Sequence, residues 1–146
     1  MSSKNSNKKH IAVLISGKGG LLKTLINKKP DNIIIDIVLS SSNKSVEILN
    51  YAKNYGIYTD ILDNVNISEN IWKIISQHKN IDCIILLGFL KLLEIPKFWE
   101  KKVINLHPSL LPKYGGKGMY GKRVFKEILK NKEILSGSTF HYCNNE

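Results

Sequence analysis

The chain has little cysteine and little arginine, and it has no long apolar run. Its two cysteines, Cys83 and Cys143, stand far apart, which excludes the spacing of a structural zinc site and favours a reducing compartment. The apolar stretch 11–15 is much too short for a signal sequence or a membrane span. We therefore expect a soluble, cytoplasmic protein that binds neither a metal ion nor a membrane.

The positive charge is carried almost entirely by lysine. Lys and Arg number 22 against 12 Asp and Glu, a formal net charge of +10, yet Arg123 is the only arginine. Arginine is the usual residue for bidentate contacts with bases and phosphates, and no ladder of aromatic residues accompanies the charge. A solvated surface is therefore favoured over a nucleic-acid interface, and we expect no nucleic-acid partner.

Short apolar runs alternate with helical patterns along the 146 residues. Strands are predicted at 11–15, 33–39, 57–61, 81–87, 103–106 and 136–143, and helices from 21 to before Pro30 and at 46–53, 67–77 and 122–130. This order predicts an α/β fold with a Rossmann-like, mostly parallel sheet flanked by helices. Residues 1–9 form a flexible basic tail in this interpretation, and residues 10–146 form one domain.

Three side-chain placements follow from these patterns. The strand 81–87 is the most apolar and is expected at the centre of the sheet, with Cys83 buried as a small hydrophobic residue. The helix 122–130 is expected to turn four apolar side chains inward. These are Val124, Phe125, Ile128 and Leu129.

The loop Ser16-Gly17-Lys18-Gly19-Gly20 follows the first strand and opens a helix. Backbone N–H groups and the helix dipole at such a position favour a negative group, and a phosphate is the natural occupant. The pattern is neither a dinucleotide-binding fingerprint nor a P-loop, so a plain tight turn explains it equally well.

Asn105 and His107 stand two residues apart at the end of a strand, so their side chains point to one face. An amide beside an imidazole can polarise a carbonyl group and stabilise an oxyanion, and imidazole also transfers protons. Pro108 restricts His107 to an extended conformation. The alternative is a histidine that merely ends a strand beside a proline turn.

The segment 88–93 allows two interpretations. It could form an apolar slot for a flat ring, or it could be a buried loop.

Together, these segments resemble the glycinamide ribonucleotide formyltransferases. The resemblance rests on Ser16–Leu21, on Gly88–Leu93 and above all on the long match Asn105–Tyr114, which reads Asn-Leu-His-Pro-Ser-Leu-Leu-Pro-Lys-Tyr. The stretch 115–121 and residues 136–142 are also similar to bacterial members of the family. The resemblance covers the chain from Ile11 onward.

The resemblance implies transfer of the formyl group of 10-formyltetrahydrofolate, the co-substrate, to the amine of 5-phosphoribosylglycinamide in purine (IMP) biosynthesis. It implies that Asn105 and His107 are catalytic, with small molecules as partners, no metal, and a monomer or homodimer. Phosphoribosylglycinamide is expected at Gly19, Gly20, Leu21, Leu22 and Lys23, and the folate at Leu90, Lys91, Leu92 and Leu93 together with Asn105.

The sequence departs from the family pattern at three places. Gly20-Leu21 replaces Ser-Asn, Lys91 replaces an arginine, and the chain reaches Glu146 before the aspartate that the family places shortly after His-Tyr-x-Asn. We therefore expect a fold incomplete at its C-terminus, and little or no formyl transfer by residues 1–146 alone, because no residue identified in the sequence holds the imidazole in one tautomer.

Two alternatives to the transferase remain open. One is a catalytically impaired relic that only binds phosphate ligands, and the other is a related hydrolase that uses formyltetrahydrofolate. Formyltetrahydrofolate deformylases and methionyl-tRNA formyltransferases, which share the fold, replace the proline after the histidine. The pair His107-Pro108 therefore favours the purine enzyme.

Overall fold

The computed structural model describes residues 8–145, which form a single sheet with helices on both faces. The strands are β1 (Lys9–Ile15), β2 (Ile33–Ser40), β3 (Tyr58–Ile61), β4 (Cys83–Leu86), β5 (Val103–His107) and β6 (Thr139–Tyr142). The helices are α1 (Gly20–Lys28), α2 (Val46–Lys53), α3 (Ile67–Gln77) and α4 (Lys122–Lys130), with short 3-10 turns at Asn43–Ser45 and Lys97–Trp99. Of the predicted basic tail, residues 1–7 lie outside the described residues, and Lys9 already belongs to β1.

The strand order is β3-β2-β1-β4-β5-β6, and all neighbours are parallel except β5 and β6. The chain builds outward from β1 to β3 and then crosses to the other side of β1 to place β4. The predicted mostly parallel sheet with 81–87 near its centre is therefore confirmed. This change of direction between β1 and β4 is the topological switch point at which parallel sheets bind ligands.

Alternating side chains of β1 supply both layers of the core. Ile11, Val13 and Ile15 pack with apolar residues of α1 and α2, whereas Ala12 and Leu14 pack with Ile71 and Ile75 of α3 on the opposite face. The β1 segment 11–15 is continuously apolar because helices cover both faces of this strand. Each fully buried Ile, Leu or Val side chain contributes about 1.5–3 kcal/mol relative to an exposed one.

Helix α4 has the predicted bounds but a narrower buried stripe than we expected. Val124 and Ile128, four residues apart, are buried, whereas Phe125 is 51% exposed and Leu129 is 76% exposed. The inward placement of Phe125 and Leu129 was wrong, because residues at spacing four share one stripe and the next residue along begins another.

Cys83 is half-buried rather than buried, because it opens β4 at the amino edge of the sheet, where the helical layers cover it incompletely. Desolvation still raises the pKa of its thiol. The last strand is also shorter than predicted, since residues 136–138 do not join β6. No helix among the described residues is both long and apolar enough to cross a membrane.

Candidate active site

The loops that follow β1 and β4 are tied together at the switch point. The backbone N–H of Ser16 donates to the carbonyl of Gly88 at 3.2 Å, and the Ser16 hydroxyl accepts from the backbone N–H of Leu90 at 2.8 Å. Gly88 has a φ of 73°, the left-handed region that glycine adopts without strain. Ser16 therefore fixes where the chain leaving β4 crosses the edge of the sheet.

A network of buried serines extends this connection to β2. The Ser16 and Ser41 hydroxyls lie 2.6 Å apart, and Ser40 donates to Ser45, which donates to the carbonyl of Gly17, each at 2.6 Å. Buried hydroxyl groups are costly unless they are paired, and here each has a partner. Only Ser16, as part of the loop 16–20, was singled out from the sequence, although the serine run 40–42 at a strand end was an available signal for the others.

The proposed phosphate loop is a tight entry into α1. Gly19 has a φ of 70°, and a methyl group there would lie 2.7 Å from Cγ1 of Ile48, so glycine is required by both backbone and space. Helix α1 shows no side-chain cap and no acidic residue in its first turn, which leaves that turn open to an anion.

Leu21, Leu22 and Lys23 differ in which groups they could offer to a phosphate. Leu21 is exposed at the start of α1, whereas Leu22 is buried in the core. The backbone N–H of Lys23 donates to Gly19 within the helix at 2.9 Å, and Nζ of Lys23 lies 5.3 Å from the ring centroid of Tyr51 on α2. The available donors are therefore backbone groups ahead of Lys23.

The segment 88–93 is anchored in the core at two positions and exposed between them. Phe89 and Leu93 are buried in the core, whereas Leu90 and Leu92 are exposed, the latter by 85%. Lys91 is exposed as well. Of the predicted folate-binding residues, Leu93 can thus offer a ligand backbone groups only, and Leu90 and Leu92 present apolar surface.

Asn105 and His107 lie on one face at the carboxyl end of β5, as their spacing predicts. Across the antiparallel ladder, Asn105 stands opposite His141, and Nδ2 of Asn105 donates to Nε2 of His141 at 3.1 Å. Nδ1 of His141 donates to the carbonyl of Tyr142, which leaves Nε2 as an acceptor. His141 therefore orients the Asn105 amide, and the second Nδ2 hydrogen is left for a ligand.

The imidazole of His107 is held by a backbone carbonyl. Its Nε2 lies 2.8 Å from the carbonyl oxygen of Tyr114, and because a carbonyl only accepts, Nε2 carries the hydrogen. The expectation that nothing in residues 1–146 holds one tautomer was therefore wrong. Sequence reasoning missed this contact because the donor and acceptor are joined by a loop of irregular backbone.

Tyr114 is itself held by its side chain. Its hydroxyl donates to Oε1 of Glu133 at 2.9 Å, and Nζ of Lys113 donates to the same oxygen at 3.0 Å. Burial, and then the hydrogen bond to Glu133, raises the pKa of Tyr114, whereas the hydrogen bonds from Lys113 and Tyr114 lower the pKa of Glu133. The hydroxyl therefore stays a donor and the carboxylate a charged acceptor.

The two halves of the predicted site share one edge of the sheet. β1 and β5 flank β4, so the ends of β1 and β5 are roughly 10 Å apart, two strand spacings.

A cavity of about 550 Å³ lies beside the loop 110–114 and is lined by Tyr114 and Glu133 but by neither Asn105 nor His107. Within residues 8–145, no group of three or more His, Cys, Asp or Glu side chains could hold a metal ion.

This arrangement can be compared with known proteins. Residues 9–146 match the sequence pattern that defines the formyl transferase family, described as "Formyl transferase". The chain belongs to the formyl transferase family. A phosphoribosylglycinamide formyltransferase of Haemophilus influenzae is 36% identical over 94% of this chain and 67% of its own length.

Two further members extend the comparison. A phosphoribosylglycinamide formyltransferase of Arabidopsis thaliana, described as chloroplastic, is 32% identical over 99% of this chain. The chain spans 53% of the length of that relative. The crystal structure of phosphoribosylglycinamide formyltransferase from Anaplasma phagocytophilum superimposes with a TM-score of 0.78 at 27% identity, covering 95% of this chain and 66% of the other.

Proposed function

We propose that this chain provides the switch-point site of a phosphoribosylglycinamide formyltransferase. The reaction transfers the formyl group of 10-formyltetrahydrofolate to the amine of 5-phosphoribosylglycinamide and serves purine biosynthesis. The proposal is supported by the family membership of residues 9–146 and by the 36% identity to the Haemophilus influenzae enzyme.

One observation carries the proposal. Asn105 and His107 share a face at the end of β5, beside the switch point, and each has one hydrogen-bonding group committed to the protein and one left over. An amide donor and a ring nitrogen directed to the same place match the attack of an amine on a carbonyl group. A strand-capping histidine alone does not need a neighbouring oriented amide.

In the proposed reaction, the amine nitrogen forms a bond to the formyl carbon, and the carbonyl electron pair moves to oxygen. The free Nδ2 hydrogen of Asn105 donates to that oxygen, which carries the charge of the tetrahedral intermediate. Nδ1 of His107 takes up the proton that the amine nitrogen loses, and the imidazolium so formed stabilises the same oxyanion and later returns a proton. The bond from the formyl carbon to N10 then breaks, N10 gains a proton, and the amine has lost one.

The two substrates are assigned to the two sides of β4. The phosphate of phosphoribosylglycinamide is placed at the open first turn of α1, where Gly19–Leu22 precede the committed N–H of Lys23. The pterin is placed along 90–93, where Leu90 and Leu92 offer apolar surface. The substrates then meet over β4, in front of Asn105 and His107.

The test is a formyl-transfer assay on a protein that carries this chain. His107→Ala and Asn105→Ala are each expected to lower turnover by a factor on the order of 10² or more, the scale of a positioned acid–base group or an oxyanion donor. Glu100→Ala is the matched control, because that exposed carboxylate lies just before the amino end of β5, at the opposite end from His107. Rates near those of the unmodified protein for both site variants would place the site elsewhere.

The assay also separates the alternatives. Release of formate in the absence of the amine, at a rate that matches transfer, would indicate the hydrolase. Calorimetric binding of phosphoribosylglycinamide without any turnover would indicate the relic that only binds phosphate ligands. Transfer that requires both substrates is the outcome expected here.

A further inference from the structure

The tautomer of His107 depends on where the chain places the Tyr114 carbonyl. The loop between these two residues leaves β5 and returns, so that the carbonyl oxygen lies 2.8 Å from Nε2. Tyr114 has a φ of 56°, a left-handed conformation that a residue other than glycine keeps only when its surroundings hold it. Some contact outside the loop must therefore hold Tyr114.

Glu133 provides that contact. One of its carboxylate oxygens accepts from the Tyr114 hydroxyl at 2.9 Å and from Nζ of Lys113 at 3.0 Å, so it binds two consecutive residues of the loop. Glu133 is itself placed by α4, because its backbone N–H donates to the carbonyl of the buried Ile128 at 3.2 Å. The carboxylate is thus fixed relative to a packed helix.

The rest of the loop has independent supports. The buried Ser109 donates to the carbonyl of Lys113 at 2.7 Å, and Thr139 of β6 donates to the carbonyl of Ser109 at 2.7 Å. These bonds hold 109–113 without Glu133. Loss of the Glu133 carboxylate is therefore expected to release Tyr114, including its carbonyl group, while residues 109–113 and the sheet persist.

We propose that Glu133 is a positioning residue for His107. By holding Tyr114, it keeps the Tyr114 carbonyl against Nε2 of His107 and leaves Nδ1 as the nitrogen that exchanges a proton during the reaction. Its consequence for turnover rests on the proposed function, whereas its consequence for the tautomer does not.

The direct test is nuclear magnetic resonance of the imidazole nitrogens in ¹⁵N-labelled protein, which distinguishes a protonated from an unprotonated ring nitrogen. The unmodified protein is expected to hold neutral His107 with hydrogen on Nε2. Glu133→Ala and Tyr114→Phe are expected to populate both tautomers, and Glu133→Gln, which keeps an acceptor oxygen, is expected to restore most of the Nε2–H form. A single Nε2–H tautomer in Glu133→Ala and Tyr114→Phe would overturn the proposal.

Turnover is the second measurement, with Glu100→Ala as the control carboxylate. Glu133→Ala is expected to lower kcat about tenfold to a hundredfold, the scale of a misplaced catalytic group, with KM for phosphoribosylglycinamide within about twofold. Partial recovery in Glu133→Gln is expected, since an effect of the carboxylate charge alone would not be rescued by a neutral acceptor. An equal fall in Glu100→Ala, or an unchanged kcat in Glu133→Ala, would contradict positioning.

The two proposals fail in different ways. If the unmodified protein transfers no formyl group, the proposed function fails, and the nitrogen spectra still decide the role of Glu133. If Glu133→Ala does not fold by circular dichroism, Tyr114→Phe removes the same hydrogen bond from the other side and gives the same decision.

Discussion

Gly19→Ala is the most direct perturbation of the turn that opens α1. A methyl group at Gly19 would lie 2.7 Å from Cγ1 and 2.8 Å from Cγ2 of Ile48, and the residue has a φ of 70°. The left-handed backbone costs alanine about 1–2 kcal/mol, and crowding a buried branched side chain costs about 1–3 kcal/mol more. We expect the free energy of unfolding to fall by about 2–5 kcal/mol.

Gly20→Ala is the matched control for this prediction. A methyl group at Gly20 meets no atom within 4 Å and requires no left-handed backbone. Its free energy of unfolding is expected to be unchanged or raised by up to about 1 kcal/mol, because alanine restricts the unfolded chain more than glycine does. The assay is urea unfolding at 25 °C followed by circular dichroism, with the slope compared between variants.

A double variant isolates the steric part. Ile48 is 4% exposed, and Ile48→Ala removes Cγ1 and Cγ2, the two atoms that a methyl at Gly19 would approach most closely. The combined loss in the double variant is expected to be smaller than the sum of the single losses by about 1–3 kcal/mol. Equal unfolding free energies for Gly19→Ala and Gly20→Ala, or strict additivity with Ile48→Ala, would refute the reasoning.

Two further predictions concern the turn that opens α1 and the contact of Asp82, just before β4, with β1. Because Gly20 has open space, the double change Gly20→Ser and Leu21→Asn adds side-chain donors without strain, and calorimetry should show tighter binding of phosphoribosylglycinamide; unchanged affinity would remove the phosphate from this turn. Asp82→Asn tests a pH dependence, since the backbone N–H of His10, foremost, and Lys9 hold the pKa of Asp82 below its ordinary value. Because its pKa is lowered by folding, ionised Asp82 stabilises the fold above the unfolded pKa, and this stabilisation is lost as pH falls through the folded pKa. The Tm of Asp82→Asn should therefore be lower than that of the unmodified protein at pH 7, and the difference should close below about pH 4. A difference in Tm that stays constant with pH would contradict this.

Residue pattern by itself determined the helices and strands and the position of the pair Asn105 and His107. The helices 67–77 and 122–130 have the predicted bounds, because apolar side chains at spacing three and four need one packed face. Asn105 and His107 share a face because strand side chains alternate with period two. The roles assigned to them, and to residues 19–23 and 90–93, stay predictions.

Tertiary structure alone decided how that pair is held. Tyr114 reaches His107 through a loop, Glu133 reaches Tyr114 from beyond α4, and His141 reaches Asn105 from an antiparallel strand. The same holds for Phe125, whose exposure depends on which stripe of α4 is buried. Periodicity reports only the average face that a segment buries, whereas a hydrogen bond requires a donor and an acceptor within about 3 Å and in line, which the packing of distant segments sets.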